Sequence, residues 1–296
     1  MNDRSSSASP AEAPTWRDLV TAARTTLGRG DEALILAEEA AGLPAAEFVL
    51  VLDACPETPA RARFLTLVDR RRGGEPLQHV VGHWGFRSLD LLVDGRALVP
   101  RPETEFTVEV ALAEIAARWP SGHPLLVVEL GTGSGAIACS LVVEREALRV
   151  IATDLSPAAL AIAKLNRARL DPGRAGRIEF RSGDWYGALD PGIAGKVDLI
   201  VANPPYVAAS EWQDLDPVVR DFDPPAALVA GEDGREAIEV VLGGAPTWLS
   251  DGAAAVVEIA PHQASAVVAF ASGCGAQSAE VRRDLAGRDR VLVARW

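Results

Sequence analysis

Leu125-Leu-Val-Val-Glu-Leu-Gly-Thr-Gly-Ser-Gly-Ala136 is the stretch on which the reading of this chain turns. Its first six residues are an apolar run interrupted only by Glu129, as expected of a strand buried on both faces. Gly131, Gly133 and Gly135 follow, and they let the backbone turn tightly and approach a ligand where a Cβ would intrude. A helix starting near Gly135 aims unsatisfied N–H groups at whatever occupies that turn. Strand, glycine turn and helix in this order predict an α/β fold that binds a nucleoside-containing cofactor. Gly131, Gly133 and Ala136 also fit the dinucleotide fingerprint, so the loop alone serves a nicotinamide cofactor or S-adenosylmethionine equally well.

Downstream the same rhythm continues. Leu125–Leu130, Arg149–Thr153, Ile178–Arg181, Val197–Ala202, Ala254–Ile259, Glu280–Arg283 and Val291–Arg295 read as strands. Helical segments such as Pro157–Ala168 and Arg235–Leu249 separate most of them, which predicts a seven-stranded, mainly parallel, doubly wound α/β sheet. The last two strands leave no room for a crossover helix, so one is expected to run antiparallel. Upstream the pattern is helical. Residues 1–14 are small and polar and predict a disordered tail. Residues 15–74 predict a bundle of four short helices opening near Thr15, Asp31, Pro44 and Thr58, the last containing Phe64, Leu65 and Val68. Gly73-Gly74 breaks that pattern. Two apolar runs around Asp94-Gly95 predict a β-hairpin in a linker spanning 75–100, and residues 101–296 form the catalytic domain.

The 296 residues include 29 Lys+Arg against 41 Asp+Glu, a formal charge of −12. That disfavours a protein living on phosphate contacts. The chain is expected to act as a monomer with no stable nucleic acid or membrane partner. Three widely spaced cysteines, Cys55, Cys139 and Cys274, give no disulfide framework or zinc spacing and fit a cytoplasmic protein. Met1-Asn-Asp-Arg4 lacks the apolar core of a secretory signal. No metal site is expected: His79 and His83 are four apart but lack the intervening Glu of a zinc helix. Cys139 reads as core, and Arg70-Arg71-Arg72 as a solvated helix end that complements the helix dipole.

Three further segments fall at the carboxyl edge of the predicted sheet, where ligands bind. Asp154 lies about twenty residues past the glycine loop, the place for an acid that accepts from ribose hydroxyls, with a helix cap as its structural alternative. In Gly183-Asp184-Trp185-Tyr186, Asp184 can accept from an adenine amino group and Trp185 can cover a ring, with a turn whose aromatic packs on the core as the structural alternative. Val197-Asp-Leu-Ile-Val-Ala-Asn-Pro-Pro-Tyr206 ends a buried strand in a stiff corner. There Pro204 fixes its own φ and Pro205 holds Pro204 extended. Such a corner suits a planar nitrogen that must attack a methyl group. The Asn203 side-chain oxygen and the Pro204 carbonyl each accept one N–H, and Tyr206 packs on the planar group.

Taken together, these segments resemble the HemK/PrmC family of glutamine N5-methyltransferases, which modify the Gly-Gly-Gln motif of class I peptide chain release factors. The matching stretches are Gly74-Glu-Pro-Leu-Gln-His-Val-Val-Gly82, Val99-Pro-Arg-Pro-Glu-Thr-Glu105, Glu129–Gly135, Asn203–Tyr206, Asp223-Pro-Pro-Ala-Ala-Leu228, Gly231-Glu-Asp-Gly234 and Asp284-Leu-Ala-Gly-Arg-Asp-Arg290. The resemblance implies a class I, Rossmann-like methyltransferase whose helical N-terminus docks the release factor. It implies that Gly131, Thr132, Gly133, Ser134 and Gly135 contact S-adenosyl-L-methionine. Glu129, Asp154, Asp184, Trp185 and Asn203 complete that cofactor set. Asn203, Pro204, Pro205 and Tyr206 would hold the glutamine amide, with Asn203, Pro204 and Tyr206 as the catalytic set. His79, Val218, Phe222, Ala230 and Arg235 depart from the family pattern without removing a catalytic group. The competing readings are an amino methyltransferase acting on adenine or guanine, a nicotinamide-dependent oxidoreductase, and a cofactor-binding module without catalysis.

Overall fold

The computed structural model describes residues 13–296. Most of the expected N-terminal tail therefore lies outside the described residues. The chain divides into two compact units, Met1–Val81 and Gly82–Trp296.

The first unit is helical: α1 (Trp16–Leu27), α2 (Gly30–Ala41), α3 (Ala45–Phe48), α4 (Thr58–Arg72) and α5 (Leu77–Val81). Thr15 caps α1 by accepting from the Asp18 N–H, and Asp18 reciprocates at the Thr15 N–H. Gly28 ends α1 in the left-handed region. No helix here is long enough to stand alone, so packing holds the unit together. Trp16 meets Phe48 and Phe64 edge-on, with ring centres 5.3 and 5.8 Å away. On α4 the inward apolar residues are Phe64 and Leu67, whereas Leu65 faces solvent. The arginine run is a solvated helix end only in part: Arg70 and Arg72 are exposed, but Arg71 is not. Arg71 is buried and pairs with Glu32 at 2.6 Å, and Arg70 donates to the His79 and Val80 carbonyls.

The second unit opens with a hairpin of β1 (His83–Phe86) and β2 (Leu89–Leu92). Its turn is Arg87-Ser88 rather than Asp94-Gly95, and Ala97–Val99 form no strand. Arg87 takes a positive φ of 51° there, and its N–H donates to Glu105 at 2.9 Å while its guanidinium reaches Glu144. Helix α6 (Pro102–Arg118) follows, then β3 (Leu125–Leu130), α7 (Ala136–Glu144), β4 (Leu148–Asp154), α8 (Pro157–Ala168) and α9 (Pro172–Ala175). The remainder comprises β5 (Ile178–Ser182), β6 (Val197–Ala202), α10 (Pro217–Arg220), α11 (Glu236–Trp248), β7 (Leu249–Glu258), α12 (Ala264–Gly273), β8 (Ser278–Arg283) and β9 (Asp289–Arg295).

Seven of these strands form one sheet in the order β5-β4-β3-β6-β7-β9-β8, parallel except at β9. The expected α/β architecture and its antiparallel edge are both present. Alternate residues serve opposite layers: Val127, Leu199 and Val256 pack with α6 and α7, and Val128, Ile200 and Val257 with α11 and α12. Cys139 lies fully buried in the first layer, as core. The chain winds outward from β3 to β5 and returns to β6 on the other side of β3. This creates a topological switch point between β3 and β6, where a doubly wound sheet opens a crevice. Among the described residues no helix is long and apolar enough to cross a membrane.

Candidate active site

Strand register assembles the site. Leu130 pairs with Thr153 on β4 and with Ala202 on β6, so Gly131, Asp154 and Asn203 stand one residue past a common row. The Thr153 carbonyl accepts the Gly131 and Thr132 N–H groups, both at 2.9 Å, which pins the start of the glycine turn. Asp154 pins its middle: Oδ2 accepts from the Gly133 N–H and Oδ1 from the Ser156 N–H, each at 2.8 Å. Each carboxylate oxygen keeps a further lone pair for a ligand. Asp154 is not the cap of α8; Ser156 holds that position and accepts from the Ala159 N–H. Gly135 caps α7 at φ 81°, and a Cβ there would lie 3.2 Å from the Ala163 Cβ, so a larger residue meets both backbone strain and a neighbouring helix.

A cavity of about 410 Å³ opens at this edge, within the usual range for small-molecule sites. Glu129, Gly131, Thr132, Gly133, Ser134 and Asp154 form one part of its wall, and Asp184, Trp185, Asn203 and Pro205 another. Gly135, Pro204 and Tyr206 adjoin these lining residues along the chain but are not among them. Trp185 sits at φ 42°, a strained conformation for a bulky residue, with its ring over the glycine turn: a Cβ on Gly131 would be 3.8 Å from Cζ3. An acid with spare lone pairs, a Cβ-free cradle and an indole over it fit a ribose and a planar base. Tyr186, beside Trp185, turns away instead. It stacks on Trp248 and donates to the Val241 carbonyl.

The cavity wall also draws on the segment expected to be only a linker, through Arg96, Leu98 and Pro100, and on Arg101 and Thr104 just past it. Leu155, largely exposed, adds an apolar surface next to Asp154. The Pro-Arg-Pro-Glu-Thr-Glu motif stood out in the sequence, but nothing there showed which residue faced a ligand. Arg101 pairs with the buried Asp223, which ties this segment to the Asp-Pro-Pro loop. The diproline corner is braced from behind. Gln263 Nε2 donates to the Tyr206 and Gly234 carbonyls at 3.1 and 2.9 Å. Gly234 sits at φ 71°, where a Cβ would come within 2.5 Å of the Tyr206 oxygen, so only glycine permits this approach. Burial pushes the Tyr206 hydroxyl up to about 12.

Glu129 is buried, and its Oε2 accepts from the Thr132 hydroxyl at 2.8 Å and the Ala138 N–H at 3.0 Å. Burial pushes its carboxyl up to about 8, and pushes that of Glu258 up to about 7. A carboxyl with a raised folded-state pKa binds more protons folded than unfolded between its ordinary range and the raised value. Its stabilisation is therefore lost as pH rises through that value. The calorimetric midpoint of the cofactor-free second unit is expected to fall by several degrees between about pH 5 and about pH 9, and Glu129→Gln to flatten the slope. A midpoint that rises over that window contradicts the assignment.

Known families match both units. A family model described as PrmC N-terminal domain covers residues 24–82, and one described as methyltransferase small domain covers residues 112–222. A release factor glutamine methyltransferase of Cereibacter sphaeroides is 42% identical over 236 residues, 80% of each chain. The Deinococcus radiodurans protein of the same name is 38% identical over 94% of this chain and 98% of its own. The one from Burkholderia pseudomallei is 39% identical over 89% and 91%. Among solved structures, the hMettl16 catalytic domain aligns with a TM-score of 0.53 at 13% identity, covering 81% of this chain and 82% of that one. A methyltransferase from Pyrococcus furiosus aligns with a TM-score of 0.50 at 16% identity, covering 71% and 90%.

Proposed function

The chain belongs to the release factor glutamine methyltransferase family, and from that premise we propose that it methylates N5 of the Gly-Gly-Gln glutamine in a class I peptide chain release factor, with S-adenosylmethionine as donor. The observation that carries the reading is the alignment of Gly131, Asp154 and Asn203 on three adjacent strand ends around one cavity. It sets a nucleoside-binding wall next to a carboxamide suited to an amide substrate.

When bound, S-adenosylmethionine supplies an electrophilic sulfonium methyl. The chain's own residues do the rest. Asp154 accepts from the ribose hydroxyls, Trp185 covers the base and the glycine turn admits the backbone close to the ligand. An amide nitrogen is a weak nucleophile because its lone pair is delocalised into the carbonyl. Asn203 Oδ1 and the Pro204 carbonyl each accept one of its N–H groups and leave its remaining face toward the methyl, with Tyr206 behind the planar group. The bound donor would supply its methyl to that nitrogen, giving up its C–S bond for the new C–N bond, and the surplus proton would leave to water, with no side chain of this chain assigned as a base. The gain comes from orientation and fixed dipoles rather than from a strong base.

A single glutamine in a short loop offers little contact area, so the helical unit is assigned the docking of the partner elsewhere on its surface. We infer that the reaction takes place in the cytoplasm, where a release factor works, and that the chain acts as a monomer. The test is mass spectrometry after incubation with labelled cofactor and release factor. One methyl on the Gly-Gly-Gln glutamine is expected, with far lower kcat/KM on a short peptide carrying the same motif. Label on nucleic acid, or none on that glutamine with the cofactor bound, rejects the substrate. Equal rates on peptide and protein reject the docking role.

A further inference from the structure

Pro204 and Pro205 carry no N–H, so the corner that follows β6 has no donor of its own with which to tie itself down. It is held instead at its two ends. Asn203 follows Ala202, which is paired to Leu130 on one side and Val257 on the other. At the far end, the peptide between Tyr206 and Val207 is gripped from both faces. Its N–H, on Val207, donates to the Leu228 carbonyl at 2.9 Å, and its carbonyl, on Tyr206, accepts from Gln263 Nε2 at 3.1 Å. The same nitrogen donates to the Gly234 carbonyl at 2.9 Å, and Gln263 Oε1 accepts from the Ala260 N–H at 3.0 Å. All three partners of this buried glutamine are backbone groups, whose donor and acceptor roles never exchange, so its amide has a single orientation. Between the two clamped ends both prolines hold φ at about −65°, which leaves the Pro204 carbonyl little freedom of direction.

We propose that Gln263 is a positioning residue for methyl transfer: by holding the Tyr206 carbonyl it fixes the diproline corner, and with it the direction from which the Pro204 carbonyl meets the substrate amide. The inference rests on the amide-methylation reading above and extends it to a residue that is not among those lining the cavity. Gly234 serves the same end from the other side. It leaves open the space in which a Cβ would come within 2.5 Å of the Tyr206 oxygen. One donor draws that carbonyl inward, and one missing side chain lets it come. The three backbone groups that Gln263 joins, at Tyr206, Gly234 and Ala260, belong to segments that no sheet ladder connects, so a long side chain with both a donor and an acceptor does what β pairing does elsewhere.

Three variants of the full-length protein test it. Gln263→Met fills a similar volume and donates nothing. Gln263→Glu keeps an acceptor for the Ala260 N–H but offers at most one donor when protonated and none when ionised. Gly234→Ala pushes on the same carbonyl and leaves Gln263 in place. Each is expected to lower kcat on the release factor by ~10- to 100-fold, while the cofactor dissociation constant stays within about twofold. Turnover is counted per cofactor-binding site, from the calorimetric stoichiometry, so that an unfolded fraction does not enter. A second readout needs no substrate: exchange of the Val207 N–H with solvent is expected to quicken at least about tenfold in both Gln263 variants, with that of Val128 in β3 unchanged. Wild-type kcat per site in the Gln263 variants, or a Val207 N–H that exchanges as in wild type, overturns the proposal. Cofactor binding lost together with kcat in all three variants overturns it too, since Gln263 then serves stability alone. Failure of the wild-type protein to label the release factor would reject the substrate reading instead, and the Val207 exchange would still decide whether Gln263 holds the corner.

Discussion

Asn203→Ala is expected to cut methyl transfer to the protein amide by ~10² to 10³ while cofactor affinity stays within about threefold. The asymmetry follows from where the side chain sits. Asn203 begins one residue past the row that also ends β3 and β4, and its carboxamide lines the cavity with Nδ2 already tied to Thr104. Removing the side chain takes away one of the two acceptors proposed for an amide whose nitrogen reacts only in a narrow orientation. The Pro204 carbonyl remains, so activity falls without vanishing. The wall built by Asp154, Trp185 and the glycine turn is untouched, so the cofactor should bind almost as before. Single-turnover transfer of a labelled methyl measures the first quantity and titration calorimetry the second. Wild-type turnover in the variant would remove Asn203 from the chemistry. A matching loss of cofactor affinity would make it a wall residue only.

That a site at this edge exists was legible in the sequence, because each of its main parts ends an apolar strand with an unmistakable punctuation: glycines after Leu130, an acid after Thr153, a diproline after Ala202–Asn203. Parallel pairing then brings these ends into line without any further instruction. What the sequence could not show depends on partners far along the chain. Asp94-Gly95 is a sound local turn signal, yet the turn forms at Arg87, because Glu105 and Glu144 hold Arg87 in its left-handed conformation. Arg71 reads as one of three exposed charges until Glu32, 39 residues earlier, closes on it. Leu65 and Leu67 are both apolar, and only the packing of α4 in the folded unit decides that Leu67 faces in and Leu65 out. The Thr104–Asn203 bond spans 99 positions, and nothing in either local pattern announces it. Periodicity and punctuation record what a segment does for itself. Side-chain hydrogen bonds between distant segments leave no such trace.

Asp154→Ala is expected to raise the dissociation constant for S-adenosylmethionine by ~10² to 10³, with kcat at saturating cofactor little changed, since hydrogen bonds to a charged group contribute about 1.5–3 kcal/mol each. Two effects add here. The variant loses the lone pairs assigned to the ribose hydroxyls, and the Gly133 and Ser156 N–H groups lose the carboxylate that holds them at 2.8 Å. Freed of that hold, the glycine turn must be reordered each time the cofactor binds. Asp154→Asn separates the two, because it keeps one acceptor oxygen but sets an NH₂ against one of the two backbone donors; its affinity should fall between the wild type and the alanine variant. Burial also raises the Asp154 carboxyl above its ordinary value. Affinity should therefore weaken on acidification at a higher pH than an exposed aspartate would give, and this dependence should disappear in Asp154→Asn. Calorimetric titrations of the three proteins across pH measure all of this without the acceptor protein. The outcome bears on Asn203 as well. If the Asp154 variants lose binding and Asn203→Ala loses turnover, the two sides of the cavity serve donor and acceptor separately. If both lose the same property to the same degree, the cavity holds one ligand, and the division of labour drawn from the strand ends is wrong.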